Sequence, residues 1–140
     1  MNQSRRDVLA GIGACGAVTF AGAGAATFLL APGFDRAEVS NLLALLADRQ
    51  AAAKIGAAWL GRHSAYAGSW DALPKLVAER LVQSGWRGGN IDALRAQVAD
   101  IVRADFAANA IEDVDGWRIS RFQAQLCGLA CLDASRPRLA

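Results

Sequence analysis

The chain is short of the residues from which most catalytic centres are built. It has a single histidine, His63, so a His-x-x-x-His metal pattern cannot arise, and Leu60 three positions before it leaves no Glu-x-x-His either. Three cysteines, Cys15, Cys127 and Cys131, are too few for a disulfide framework, and none forms Cys-x-x-Cys. With a net charge of +2 and arginine interspersed with aspartate, there is no basic stripe or arm. That argues against nucleic acid as a partner. One more absence is positional: no charged residue stands between Asp7 and Asp35.

That gap gives meaning to what precedes it. Ser4-Arg5-Arg6-Asp7-Val8-Leu9 places two adjacent arginines ahead of a long Ala/Gly-rich apolar run. This is the layout of a twin-arginine (Tat) export signal, whose substrates cross the membrane already folded. Arg5 and Arg6 are the expected export determinants, the Tat translocase the expected first partner, and the periplasm or the periplasmic face of the inner membrane the expected address.

From Val8 to Gly33 the uncharged stretch is long enough to span the hydrocarbon core, which takes about 20 helical residues. Its apolar residues Val8, Leu9, Ile12, Val18, Phe20, Phe28, Leu29 and Leu30 sum to only about −2 to −5 kcal/mol of insertion free energy, before the glycines subtract. Such modest hydrophobicity suits a Tat leader. Small-x-small cleavage sites occur at Ala21-Gly22-Ala23 and Ala23-Gly24-Ala25, yet Phe28-Leu29-Leu30 continue beyond both. Two outcomes therefore stand: a removed signal, or an uncleaved membrane anchor covering residues 1–33. Gly11-Ile12-Gly13-Ala14-Cys15-Gly16 spells G-x-G-x-x-G, but no hydrophobic strand precedes it and no βαβ unit has room to follow. Ile12-Gly13-Ala14-Cys15 resembles a lipoprotein box, with too short an apolar run before it and a long one after.

Residues 34–140 read as one small helical domain. Asp35 with Glu38 forms a capping box opening a helix that carries Val39, Leu42, Leu43 and Leu46 on one stripe. Asp48 is placed to cap a second helix to about Leu60, unless the two fuse. Arg62 to Ser69 reads as a loop. Ser69 or Asp71 caps a third helix that tolerates Pro74 in its first turn and closes at Ser84-Gly85. Asn90 caps a fourth, to about Ala108, with Ile91, Leu94, Val98, Ile101, Val102 and Phe106 at helical spacing. Ile111 to Ile119 then alternates apolar with polar around Asp115-Gly116, the pair that best accepts a two-residue hairpin turn. Ser120 and Gln123 make a second capping box, opening a last helix to about Asp133. The expected fold class is all-α: a bundle of four to five helices with one short β-hairpin.

Few residues in this domain carry chemistry. His63, in its loop, reads as a surface residue. Cys127 and Cys131 share one helix face, but an i, i+4 pair holds its Cβ atoms about 5–6 Å apart, against about 3.8 Å in a disulfide. Free thiols among Leu126, Leu129 and Ala130 are the plainer reading; the others are a metal or haem-edge ligand, a bond to a partner, or a small redox or ligand-binding site. Glu112, Asp113 and Asp115 lack the spacing of a calcium loop and read as a solvated hairpin edge. No catalytic, cofactor-binding or metal-ligating residue is assigned. Trp59, Trp70, Trp86 and Trp117 all fall near element ends. They are core rings over helix termini or anchors for a protein partner, where tryptophan is enriched.

The leader motif Ser4-Arg5-Arg6-Asp7-Val8-Leu9, the stretch Leu42–Leu60 and the helical size resemble the small subunits of bacterial membrane-bound sugar and alcohol dehydrogenases. These are the gluconate dehydrogenase subunit 3 and sorbitol dehydrogenase small-subunit families. The resemblance implies an accessory or escort subunit without catalysis of its own, carrying a flavin-bearing larger subunit through the translocase. An alternative of another class is a structural subunit of a membrane-embedded energy-converting complex, held by its uncleaved N-terminal helix.

Overall fold

The computed structural model describes residues 36–136 apart from Ser69. The leader, Arg5, Arg6, Cys15, the expected cap Asp35 and the last residues from Pro137 lie outside the described residues. The described chain is mostly helical, with six helices and one two-stranded antiparallel sheet. In chain order these are α1 (Arg36–Ala44), α2 (Arg49–Arg62), α3 (Ser64–Ala67), α4 (Ala72–Gln83), α5 (Ile91–Ala107), β1 (Ile111–Val114), β2 (Trp117–Ser120) and α6 (Arg121–Ala134).

The core forms around α6. Ala124, Gln125, Leu126, Cys127, Gly128, Leu129 and Ala130 are all buried, so this helix is enclosed on every side. A helix apolar all round cannot lie on a surface. Its surroundings are α1, α2, α4, α5 and both strands. Each packed helix contributes a stripe: Val39, Leu42 and Leu43 from α1, Ala52, Trp59 and Leu60 from α2, Leu73, Val77 and Leu81 from α4, and Leu94 and Ile101 from α5.

Helix boundaries follow local chemistry. Helices α1 and α2 do not fuse, because Asp48 takes an extended backbone and its Oδ1 accepts from the Ala51 N–H at 3.0 Å. Helix α4 ends where Gly85 turns to φ +104°, with the Trp86 N–H donating to Leu81 O at 3.0 Å and the Gly85 N–H to Val82 O at 2.9 Å. This is a Schellman closure. Helix α5 opens on Asn90, whose Oδ1 accepts from the Ala93 N–H at 2.9 Å. It closes by the same Schellman device with Asn109 at φ 56° in place of glycine, the Ala110 N–H reaching Asp105 O at 2.8 Å. The segment expected as a loop after Arg62 holds the single helical turn α3.

The hairpin turns on Asp115 (φ 49°) and Gly116 (φ 81°), both in the left-handed region that a two-residue type I′ turn needs. Its register pairs Val114 with Trp117 and Ile111 with Ser120. Ser120 ends β2 and caps α6 at once. Its Oγ accepts from the Gln123 N–H at 3.0 Å, while Gln123 Oε1 accepts from the Ser120 N–H at 2.9 Å. The hairpin is thus continuous with the central helix rather than hung from it.

Helices α2 and α6 approach so closely that their glycines become obligatory. A Cβ on Gly56 would lie 1.9 Å from Cys127 O, a backbone atom that cannot swing aside. On Gly128 it would lie 2.9 Å from Leu73 Cδ2 and 3.0 Å from Trp59 Cε3. Gly61, on the same α2 helix, meets nothing within 4 Å. Replacing Gly56 by Ala is expected to cost about 3 kcal/mol or more through overpacking. Gly128→Ala is expected to cost less, because its Cβ would meet side chains at 2.9–3.1 Å and not a backbone carbonyl. Gly61→Ala gains about 0.5 kcal/mol by restricting the unfolded chain. Urea unfolding of the three variants reads this order directly.

Candidate interaction surface

Three of the four tryptophans are tied into the helical body. Trp59 is 2% exposed, and its ring stacks with His63 at a centroid distance of 4.3 Å and with Tyr66 at 5.8 Å. Its Nε1–H is buried without a hydrogen-bond partner. Trp59 is therefore core and cannot anchor a partner. Trp70 is half-buried, with the Arg136 guanidinium 3.5 Å above its ring centre. Trp86 is half-buried against the core, and Gly89 lies under its ring, where a Cβ would come within 3.2 Å of Cη2. Trp117 differs. On β2 beside the hairpin turn it is 61% exposed, the most exposed large apolar side chain among the described residues.

The surroundings of Trp117 are charged yet nearly self-neutralised. Across the hairpin Arg118 Nε lies 3.5 Å from Asp113 Oδ1, and at its base Arg121 Nε lies 3.7 Å from Glu112 Oε1. Such exposed pairs contribute about 0.2–1 kcal/mol each. Arg62, at the end of α2, donates to Asp113 O at 2.5 Å and moors β1 to the helical body. Among the described residues no three His, Cys, Asp or Glu side chains stand close enough to hold a metal ion.

His63 is half-buried rather than a free surface residue. Its Nδ1 lies 2.9 Å from Trp59 O. A carbonyl oxygen only accepts, so Nδ1 carries the proton. Cys127 and Cys131 are both free thiols, the first buried and the second half-buried. Burial pushes the Cys127 thiol up to about 11, the direction opposite to that of a reactive thiolate.

The polar feature that sequence reasoning missed is Asp105. It is 1% exposed, in the last turns of α5. Its Oδ1 accepts from Arg80 Nη2 of α4, and its Oδ2 accepts from the Phe122 N–H at 2.9 Å. Phe122 is in the first turn of α6, so the carboxylate also sits at that helix's positive end. One side chain thereby ties three helices. The available signal was spacing: Leu94, Val98, Ile101 and Asp105 fall at i, i+4, i+7 and i+11, the inward stripe. Phe106, expected in that stripe, lies one step round the helix and is 45% exposed; Ile91, at the other end, is 39% exposed.

Compared with known proteins, the chain matches no family model, no curated protein and no solved structure.

Three measurements test this site. Arg80→Ala strands a buried carboxylate and is expected to cost about 3–5 kcal/mol in urea unfolding. Asp105→Asn is expected to cost less, because an amide oxygen still serves the Phe122 N–H and half-exposed Arg80 can turn to water. For the thiols, Cys131 is expected to react with a maleimide at pH 8 well before Cys127, the two converging in denaturant. The raised Cys127 value gives stability that is complete below pH 9. It is lost between about pH 9 and about 11, where only the unfolded thiol ionises.

Proposed function

We propose that this protein is a non-catalytic accessory or escort subunit of a Tat-exported periplasmic oxidoreductase, with a flavin-bearing dehydrogenase as its larger partner. The observation that carries the reading is Trp117. A large aromatic side chain 61% exposed on a hairpin moored at both ends is suited to anchoring a protein partner. The arginine pair Arg5-Arg6 fits the same reading, because Tat export moves folded proteins and permits a partner to travel alongside. The buried, proton-retaining Cys127 fits a body that adheres rather than reacts. Residues 34–140 form the adhesive domain in this reading, and residues 1–33 the signal or anchor.

A second reading is a structural subunit of a membrane-embedded energy-converting complex, held by its own N-terminal helix. Phe28-Leu29-Leu30 beyond both small-x-small sites favour it. Among the described residues no helix is long and apolar enough to cross a membrane, so any anchor would have to come from outside them. Intact mass of the membrane-extracted protein separates the two: a chain that still begins at residue 1 or 2 supports the anchored form.

Arg5→Lys with Arg6→Lys is expected to hold the protein in the cytoplasm and to end co-purification of a flavin-containing large subunit from the periplasmic fraction. Trp117→Ala, with an unchanged circular dichroism spectrum, is expected to weaken capture of that subunit about tenfold or more. Turnover of a dehydrogenase substrate by the isolated chain, or unaltered export of the lysine variant, would overturn the proposal.

A further inference from the structure

Helix α5 presents a second surface, separate from the Trp117 hairpin and independent of the reading above. Its outward positions Asp92, Ala96, Ala99 and Arg103 fall at i, i+4, i+7 and i+11 and are all exposed. They therefore line one face, with small side chains in the middle and opposite charges about 16 Å apart along the axis. Each terminal charge already has an opposite charge beside it on the same helix. Arg95 Nη1 lies 2.9 Å from Asp92 Oδ1, and Arg103 pairs with Asp100. Phe106, 45% exposed, extends the face at its C-terminal end.

The order of these residues is antisymmetric about the point between Gln97 and Val98. Turning the helix end over end exchanges Asp92 with Arg103 and Ala96 with Ala99. We propose that this face binds a second copy of the chain, α5 packing antiparallel on α5 about a two-fold axis. In that arrangement Asp92 of one copy meets Arg103 of the other at both ends, and Ala96 meets Ala99 at the crossing. The absence of bulk there lets the two axes approach to the lower part of the usual 8–10 Å range. Arg95 and Asp100 complete a four-charge cluster at each end, alternating in sign. A parallel pairing in register would set Asp92 against Asp92 and Arg103 against Arg103, so the charges select the antiparallel dimer. A face made for an unrelated partner has no reason to complement itself.

The test is sedimentation equilibrium of the full chain in mild detergent over a concentration series. The expected result is a monomer–dimer equilibrium. Arg103→Asp places like charges at both ends of the interface and is expected to weaken it at least about tenfold. Adding Asp92→Arg restores complementarity, so the double variant dimerises again with itself but does not form mixed dimers with the unaltered chain. Ala99→Lys, on an exposed site with good helix propensity, blocks the close approach and is expected to leave a folded monomer. A monomer at every concentration overturns the proposal. So does a dimer whose affinity ignores Arg103→Asp and Ala99→Lys, as association through the apolar leader would.

Discussion

Backbone contact between α2 and α6 is the constraint from which the remaining packing follows. Where a Cβ on Gly56 would lie 1.9 Å from Cys127 O, there is room for hydrogen only. That proximity lowers α2 onto the central helix and brings the Trp59 ring against Gly128, which likewise has no side chain to displace it. With the large ring seated there, Leu73 of α4 closes the same spot from the other side. His63 and Tyr66 then cover the outer rings of the stack. Burial of Trp59 leaves its indole N–H unpartnered, a penalty of about 1–3 kcal/mol that the surrounding apolar contact has to offset.

Asp105 acts at the other end of the central helix, and by a different physics. Apolar packing fixes how close two helices come, but it is tolerant of sliding and rotation. A buried carboxylate with two named partners is not. Both of its oxygens are engaged, one by Arg80 and one by the Phe122 N–H, so α4, α5 and the start of α6 have one mutual arrangement. The Ser120–Gln123 box at the same helix start adds two more bonds. Polar groups thus set the register at the N-terminus of α6, and glycines set the depth along its middle.

The sequence pattern announced local elements far better than their mutual contacts. Asp48, Asn90, Ser120 with Gln123, and Asp115-Gly116 were each readable, because capping and turn geometry involve only residues three or four apart. The core stripe of α1 was readable for the same reason. Phe106 misled because a large apolar residue was assumed to be inside; the adjacent Asp105 took the inward place, since its partners lie 25 and 17 positions away and spacing cannot show them. Gly56 resembled any other small residue in an Ala-rich helix. His63 likewise reads as a loop residue, yet it joins α2 directly to the helical turn α3 and stacks on Trp59. Among the tryptophans, period and position were alike, and only the assembled core separates a buried Trp59 from an exposed Trp117. The leader, on which the expected address rests, lies outside the described residues.

The way Trp117 is held bears on how it would bind. An anchoring side chain gives up freedom on association, at about 0.5–1.5 kcal/mol for a mobile, rotamer-rich group, and a loose loop adds the cost of ordering its backbone. Here the second cost is largely met in advance. The turn is locked by two left-handed residues, β1 is moored through Arg62 to Asp113 O, and β2 runs without a break into the capped start of α6. An isolated two-stranded hairpin would be marginal in water, so its order has to come from the helices beneath it. The rigidity at Trp117 is thus inherited from the buried contacts of α6. A substitution at Gly56 or Asp105 would therefore reach the indole through α6.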